Sequence, residues 1–510
     1  MTEPILIPGE TCWRIARADR MAVIVDAGSY FGHLKTAILS ARHSVVLIGW
    51  DFDTRIALDR DDPAPGVPNS LGPLLNYAVR HNKGLQVYML RWDLSILKTP
   101  FRGTTAFFIA EWIASRRLHF RLDSYHPAGA CHHQKIVVVD DAVAFCGGID
   151  ATIGRWDTPA HRDHDPRRCF PDGTPYGPWH DVTTAVHGPA AAALGDLARQ
   201  RWLAATGRRL EAPPPGQVRW PQGLDAEFHD VDVAIARTEP CYESQPEVRE
   251  IEALYLAAIR AARRSLYLES QYLSAVKLCE AIAERLAEPG GPEVIVINPE
   301  RAEGWLEEEA MGSARAVLLE QLHAADHERR LRVLTPMTAE RRDIYVHAKV
   351  LVVDDTLLRV GSSNINNRSL GLDTECDLAV EARPDDPGAP AVRRAILAVR
   401  DVLMAEHLGV SRDELRGTLD ACEGSLTATV DRLMRPEGRS LRPFHPAPLS
   451  PLQRRLGETH VLDPDRPESM DKEFVQLMRV FGVRDVAAAA LGAVALGVAT
   501  VLDVRRRGRA

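Results

Sequence analysis

Lysine is scarce in this chain of 510 residues. Of its 62 lysines and arginines only seven are lysine: Lys35, Lys83, Lys98, Lys135, Lys277, Lys349 and Lys472. Arginine serves wherever a cation suffices, so a lysine that persists marks a place for a compact, rotatable ammonium that a planar guanidinium does not replace. Cysteine is sparse too. The eight residues are scattered without a C-x-x-C pair, which leaves neither a zinc site nor a disulfide framework and favours a reduced, intracellular protein. Residues 1–22 lack a basic stretch followed by an apolar one, so no secretory signal is expected. A basic excess is also missing. The net charge of −8 counts against a nuclease that tracks a phosphate backbone. Disordered and fibrous classes are excluded by 45% hydrophobic and 26% charged residues, and the length suffices for two or three packed domains.

What is present reads as two copies of one α/β unit. A helical stretch at 30–41 leads into the apolar run 44–52 (SVVLIGWDF); a second helical stretch at 248–262 leads into 265–273 (SLYLESQYL). Further strands are expected at 85–90 and 118–122 in the first copy, and at 293–298 and 331–335 in the second. Such alternation predicts a mixed or parallel sheet covered by helices, and the self-similarity predicts a duplication. The expected division is a first half at 1–206, a Pro-, Gly- and Arg-rich linker at 207–223, a second half at 224–408, and a C-terminal region at 409–478. That last region opens on the capping signature Ser411-x-x-Glu414 and contains an irregular proline-rich stretch at 435–451. Residues 486–502 (VAAAALGAVALGVATVL) carry no charge and precede Arg505, Arg506, Arg507 and Arg509. This is a candidate membrane anchor at the short end of the spanning range, a helix lying at the interface with its arginines on anionic head groups, or a helix packed on the body or on another chain.

Two segments carry the chemistry. After His133-Gln134-Lys135 four residues lead to Asp140, and after His347-Ala348-Lys349 four lead to Asp354, so both fit His-x-Lys-x4-Asp. The pairs Gly147-Gly148 and Gly361-Ser362 follow at equal distance, then Asp150 and Asn364, then Arg155 and Arg368. The apolar, β-branched run after each lysine reads as a buried strand, and residues two apart on a strand share a face. Each half-site therefore presents one imidazole and one ammonium side by side. Asp140 and Asp354 fall at an odd offset in Asp-Asp turns, which suits supports rather than reacting groups. Phosphodiester cleavage needs a nucleophile, an acid for the leaving alkoxide and cations on the non-bridging oxygens. Two facing half-sites supply that set, without cofactor or metal. The pattern itself does not say which histidine attacks. Other polar features weigh less. His161-x-x-His164 with Asp163 and Asp165 reads as a polar surface loop rather than a metal loop, because no third ligand completes it. Trp50, Trp156 and Trp179 read as core before they read as a lipid cleft.

These motifs resemble the two-motif phospholipase D family over roughly residues 30–402. The similarity extends to Gly49-Trp50-Asp51-Phe52-Asp53, Gly147-Gly148-Ile149-Asp150, Arg155-Trp156-Asp157 and Pro178-Trp179-His180-Asp181. It continues in Glu269-Ser270-Gln271, where serine replaces the family's usual asparagine, and from Gly361 through Ser369. An insertion near 164–177 departs from the pattern. The resemblance implies an α/β fold of two duplicated α-β-α sandwich halves packed as a pseudo-two-fold pair, here followed by a helical tail. It implies His133 as nucleophile and His347 as general acid and base, and acidic partners for them among Asp181, Glu375 and Asp377. Gly148, Asp150, Ser362, Asn364, Glu269 and Gln271 are implied as substrate-binding or supporting positions. The implied reaction hydrolyses or transfers phosphatidyl groups, with a phospholipid and a water or alcohol acceptor as partners and a membrane surface as the workplace. A cardiolipin-synthase-like transferase is the nearest rival; a nuclease and a non-catalytic lipid scaffold are further ones. A monomer in the cytoplasm, attached through the apolar tail, completes the expectation.

Overall fold

The computed structural model describes residues 4–61, 65–93, 112, 115–214, 219–302, 311–460 and 463–466. Helix Ala27–Ser40 buries Tyr30, Phe31, Leu34, Ala37 and Ile38 along one stripe. It feeds strand Ser44–Gly49, in which every residue after the first is buried, as a strand covered on both faces requires. The second copy repeats this with helix Glu250–Ala261 and strand Ser265–Glu269, preceded by a short strand pair at Val248–Arg249 where helix was expected.

The first half orders its strands Leu118–Asp123, Gln86–Trp92, Ser44–Gly49, Ile136–Val139, Val143–Gly147, Val182–His187 and Arg14–Val25. The second repeats that order with Leu331–Met337, Glu293–Ile297, Ser265–Glu269, Val350–Val353, Leu357–Gly361, Glu375–Glu381 and Phe228–Glu239. The halves meet where Arg14–Val25 pairs antiparallel with Phe228–Glu239, from Arg14↔Ile235 to Met21↔Phe228. One sheet of 16 strands therefore runs through both. Neither central strand was read from the sequence, although HDVDVAIA alternates with a period of two. A two-stranded parallel ribbon, Trp179–His180 with Tyr345–Val346, bridges the halves beside the second motif.

Helices Pro189–Thr206 and Ala389–Leu408 cover one face over a single core that includes Val46, Val138, Leu194, Tyr267, Val350 and Leu403 from both halves. The other face is covered separately in each half. Helix Pro189–Thr206 stops at Gly207, whose φ of 67° suits glycine, as the linker begins. Ser411 caps helix Arg412–Ala421 by accepting from the Glu414 N–H. Within the proline-rich stretch expected to be irregular, Ser440–Pro443 adds an edge strand to Leu331–Met337. The apolar run at 486–502 lies outside the described residues, among which no helix is long and apolar enough to cross a membrane.

Candidate active site

Each motif enters its strand already tied to the other half. The His133 N–H donates to the Thr374 carbonyl at 2.9 Å, and the His347 N–H to the His180 carbonyl at 2.8 Å. The Lys135 ammonium turns back onto the His133 carbonyl at 2.9 Å, and Lys349 does the same to His347. At the far ends of the strands, Asp140 accepts the N–H groups of Arg42, His43 and Ser44 at 2.6–2.8 Å. Asp354 accepts those of Arg263, Arg264 and Ser265 at 2.7–2.9 Å. Both aspartates have left-handed backbone, φ 51° and 50°. Each carboxylate thus ties its hairpin to the start of the neighbouring strand.

The histidines exchange carboxylates across the pseudo-two-fold axis. His133 Nδ1 lies 3.0 Å from both oxygens of Glu375, a second-half residue. His347 Nδ1 lies 2.7 Å from Asp181, a first-half residue. When the carboxyl is ionised and accepts Nδ1–H, its imidazole is left with Nε2 as the free, basic nitrogen. Burial, with Lys135 and Lys349 nearby, holds His133 well below the usual imidazole range. Burial, then Lys349, Arg155 and Lys135, do the same to His347. The two half-sites are thus close enough to share one field of cations. Burial pushes Glu375 up to about 8 and Asp181 up to about 7, each against groups that favour its charge.

The remaining positions singled out in the sequence divide into those around this core and those elsewhere. Asp150 pairs with Lys135 at 3.1 Å. Ser362 Oγ and Ser369 Oγ donate to Glu375 at 2.5 and 2.7 Å. A Cβ at Gly148 would come within 2.1 Å of Asp181 Oδ1, so that position has no room for a side chain. Asn364 donates its backbone N–H to Ser369 Oγ, and its buried Oδ1 has no partner among the described residues. Gln271 donates to the hydroxyls of Tyr272 and Tyr345. Two positions sit elsewhere than implied. Asp377 reaches neither histidine; it is held by the Arg359 guanidinium, the Ser363 hydroxyl and the N–H groups of Ser362 and Ser363. Glu269 faces His180 at 2.8 Å and His407 at 3.0 Å, one layer behind. Residues two apart, such as Glu375 and Asp377, share a face of their strand but stand at different places along it, and the motif alone does not fix which of them meets a histidine.

A cavity of about 380 Å³ opens beside His347, lined by Trp50, Arg155, Phe170, Tyr176, Trp179 and Tyr345, among others. Trp179 stacks on Tyr345 with ring centres 4.6 Å apart and lies 5.3 Å from the His347 ring, while the Arg155 guanidinium sits 4.0 Å over Trp179. Trp156, in contrast, is core.

Behind His180 lies a buried set that no motif announces. Asp26, His161, His180 and Glu406 bring four ligand-type atoms within 4.8 Å of one another. His161 Nε2 and His180 Nδ1 both reach Glu406 Oε1, at 3.1 and 2.9 Å. Asp26 Oδ2, buried and without a hydrogen-bond partner among the described residues, lies 3.6 Å from His161 Nε2. Two imidazoles and two carboxylates fit a divalent cation that takes nitrogen and oxygen ligands. With protons instead, burial works against the charge, but Asp26, Asp157 and Glu406 outweigh it and lift His161 to about 9. Either occupant would fix His180, whose chain neighbour is Asp181. His164, three residues on, is exposed beside Glu340, so the His161-x-x-His164 loop does not gather as a unit. Sequence spacing could not reveal the set, because its members lie on four separate stretches of chain.

Known protein families match both halves of the chain. Residues 37–214 match the family described as Phospholipase D, and residues 255–387 match the one described as Cardiolipin synthase, PLD-like domain. Phospholipase D alpha 1 of Ricinus communis is 27% identical over 73% of this chain and 63% of its own length. Phospholipase D delta of Arabidopsis thaliana is 25% identical over 77% and 65%. The chain therefore spans under two thirds of these relatives. A crystal structure of phosphatidylserine synthase from Haemophilus influenzae shares the fold, with a TM-score of 0.51 at 13% identity over 82% of this chain and 97% of that one. Two matched family regions, one on each side of a continuous sheet whose halves repeat the same strand order, place the chain in the phospholipase D-like family.

Proposed function

We propose that this protein cleaves or transfers phosphatidyl groups through a phosphohistidine on His133. The observation that carries the reading is the crossed pairing of His133 with Glu375 and His347 with Asp181, with a lysine beside each imidazole. His133 Nε2 attacks phosphorus as the bond to the head-group oxygen breaks; His347, which takes up a second proton on Nε2 once the anionic phosphate offsets the cations that depress it, gives that proton to the leaving oxygen. Lys135 and Lys349 hold the non-bridging oxygens. His347, now unprotonated, takes the proton from water or an alcohol as it displaces His133 and forms phosphatidic acid or a new phosphatidyl ester. The names of the matched families and relatives support a phospholipid substrate, and the cardiolipin synthase-like match over the second half supports a lipid alcohol as a further acceptor.

The test is turnover of the purified chain on phosphatidylcholine vesicles with ethanol added, with and without EDTA. Phosphatidic acid together with phosphatidylethanol is expected, the second product because a phosphatidyl-enzyme partitions between acceptors. Release of phosphatidic acid alone at every ethanol concentration would exclude a shared intermediate. If no product forms from phosphatidylcholine, phosphatidylglycerol and single-stranded DNA distinguish the rival readings.

Two differences between the half-sites lead to measurable effects. Lys135 faces the carboxylate of Asp150, whereas the matching position after the second motif is Asn364. Burial pushes Lys349 down to about 7, a value at which its charge depends on its surroundings. Asn364→Asp is expected to hold Lys349 protonated but to neutralise it towards phosphate, lowering kcat/KM by about tenfold; unchanged kcat/KM would remove Lys349 from the phosphate site. Arg155 is a cation that depresses His347. Arg155→Gln removes that charge, so the His347 pKa should rise. The alkaline limb of kcat/KM, where the free enzyme's acid is lost, should move to higher pH. A limb that stays in place would assign the acid to another group.

A further inference from the structure

The C-terminal segment 463–466 lies against residues of the second half that are far from it in sequence. The Asp463 side chain is buried, and its Oδ2 accepts from the Asn367 N–H at 3.0 Å, the Asn367 side-chain amide at 3.2 Å and the Ser274 hydroxyl at 3.0 Å. Its Oδ1 accepts from the Arg368 N–H at 3.0 Å. Two residues on, the Asp465 carbonyl takes a hydrogen bond from the Arg249 guanidinium at 2.9 Å. The seat is tight: a Cβ on Gly371 would come within 2.4 Å of both that carbonyl and the Arg249 guanidinium.

What Asp463 grips is a five-residue helix, Asn367–Gly371. From this helix Ser369 donates to Glu375, the carboxylate on His133. From it also Arg368 holds Asp373, whose Oδ1 accepts the Cys131 N–H at 2.8 Å, two residues before His133. Both the partner of His133 and the backbone leading to it therefore hang on this helix. So short a helix has little hydrogen bonding of its own and takes its position from what holds it. Asp463 satisfies two of its first N–H groups with one carboxylate.

We propose that Asp463 is a positioning residue for His133, acting through the Asn367–Gly371 helix, so that the C-terminal segment completes the site. The inference rests on the reading of His133 as the attacking group. It predicts damage confined to one half of the dyad: the Glu375 and His133 pair loosens while Asp181 and His347 stay in place.

The experiment uses the full chain with Asp463→Ala, Asp463→Asn and, as a control on the exposed pair Arg466–Glu247, Arg466→Ala. With phosphatidylcholine vesicles, Asp463→Ala is expected to lower kcat about 10- to 100-fold with KM within twofold of wild type, Asp463→Asn to recover part of the loss by keeping one acceptor, and Arg466→Ala to match wild type. Histidine-selective 15N labelling supplies a readout independent of turnover. The His133 Nδ1 proton, assigned by its absence in His133→Gln, should move upfield in Asp463→Ala while that of His347 stays. Wild-type kcat in Asp463→Ala, or equal displacement of both histidine signals, overturns the proposal. A wild type that turns over no phospholipid defeats the functional reading instead, and the Nδ1 signals still decide whether Asp463 positions His133. Should Asp463→Ala fail to fold, the comparison rests on Asp463→Asn, for which wild-type kcat and an unmoved His133 signal have the same force.

Discussion

Replacing His133 with alanine is expected to lower turnover by at least about 10⁴-fold, because it removes the group read as the nucleophile. His347→Ala is expected to be as damaging with a choline head group but to behave differently with a phosphatidyl ester of p-nitrophenol. That alcohol leaves without a proton, so the first displacement should survive. The second step still needs a base to activate water, so the reaction should stop after a burst of about one equivalent of p-nitrophenolate, with phosphatidyl group held on the protein. Rapid mixing with absorbance detection reads both. The spacing of the motifs leaves the two roles interchangeable, and the crossed geometry is nearly symmetric. The burst is what breaks the tie: a burst in His133→Ala and none in His347→Ala would exchange the assignments.

Glu375→Gln should lower kcat by roughly 10²- to 10³-fold, since an amide neither fixes the His133 tautomer reliably nor stabilises the charge that develops on the ring. Its effect on stability should have the opposite sign. Burial raises the Glu375 pKa to about 8, above the value near 4.5 of an exposed carboxyl. A carboxyl whose folded pKa is raised favours the folded state while protonated. That contribution is present below the unfolded pKa and is lost as pH climbs through the folded one. Glutamine does not ionise. The melting temperature of Glu375→Gln minus that of wild type should therefore widen between pH 5 and pH 8, measured by differential scanning fluorimetry on both proteins. A difference independent of pH would mean that Glu375 stays ionised throughout, held so by His133, Ser362 and Ser369.

The helix-then-strand pattern before each apolar run was legible because burial on both faces leaves unbroken hydrophobic stretches, as in Ser44–Gly49 and Ser265–Glu269. The duplication was legible because the two motifs repeat spacing as well as residue type. The long strands Arg14–Val25 and Phe228–Glu239, which join the halves, were not. They mix arginine and aspartate into their alternation, since part of each strand is exposed, and so resemble surface loops. Convergence of distant residues was the other blind spot. Nothing local in His180, Glu269, Glu406 or His407 indicates that they share one buried cluster, nor that Asp377 turns to Arg359 while Glu375, two residues earlier, turns to His133. Strand periodicity says that such residues share a face; only the partner strands say what stands opposite.

The exchange of carboxylates between halves also bears on how such a duplicated chain can change over generations. A gene copy is free to drift when its product works alone. Here the first half keeps the ring of His133 and the second keeps the acid that aims it, while His347 and Asp181 make the reverse arrangement. A substitution in either half is therefore judged through the other, and a compensating change must arise across the seam rather than nearby. The two halves may lose all outward likeness in sequence and still be held, at these four positions, to a common ancestry.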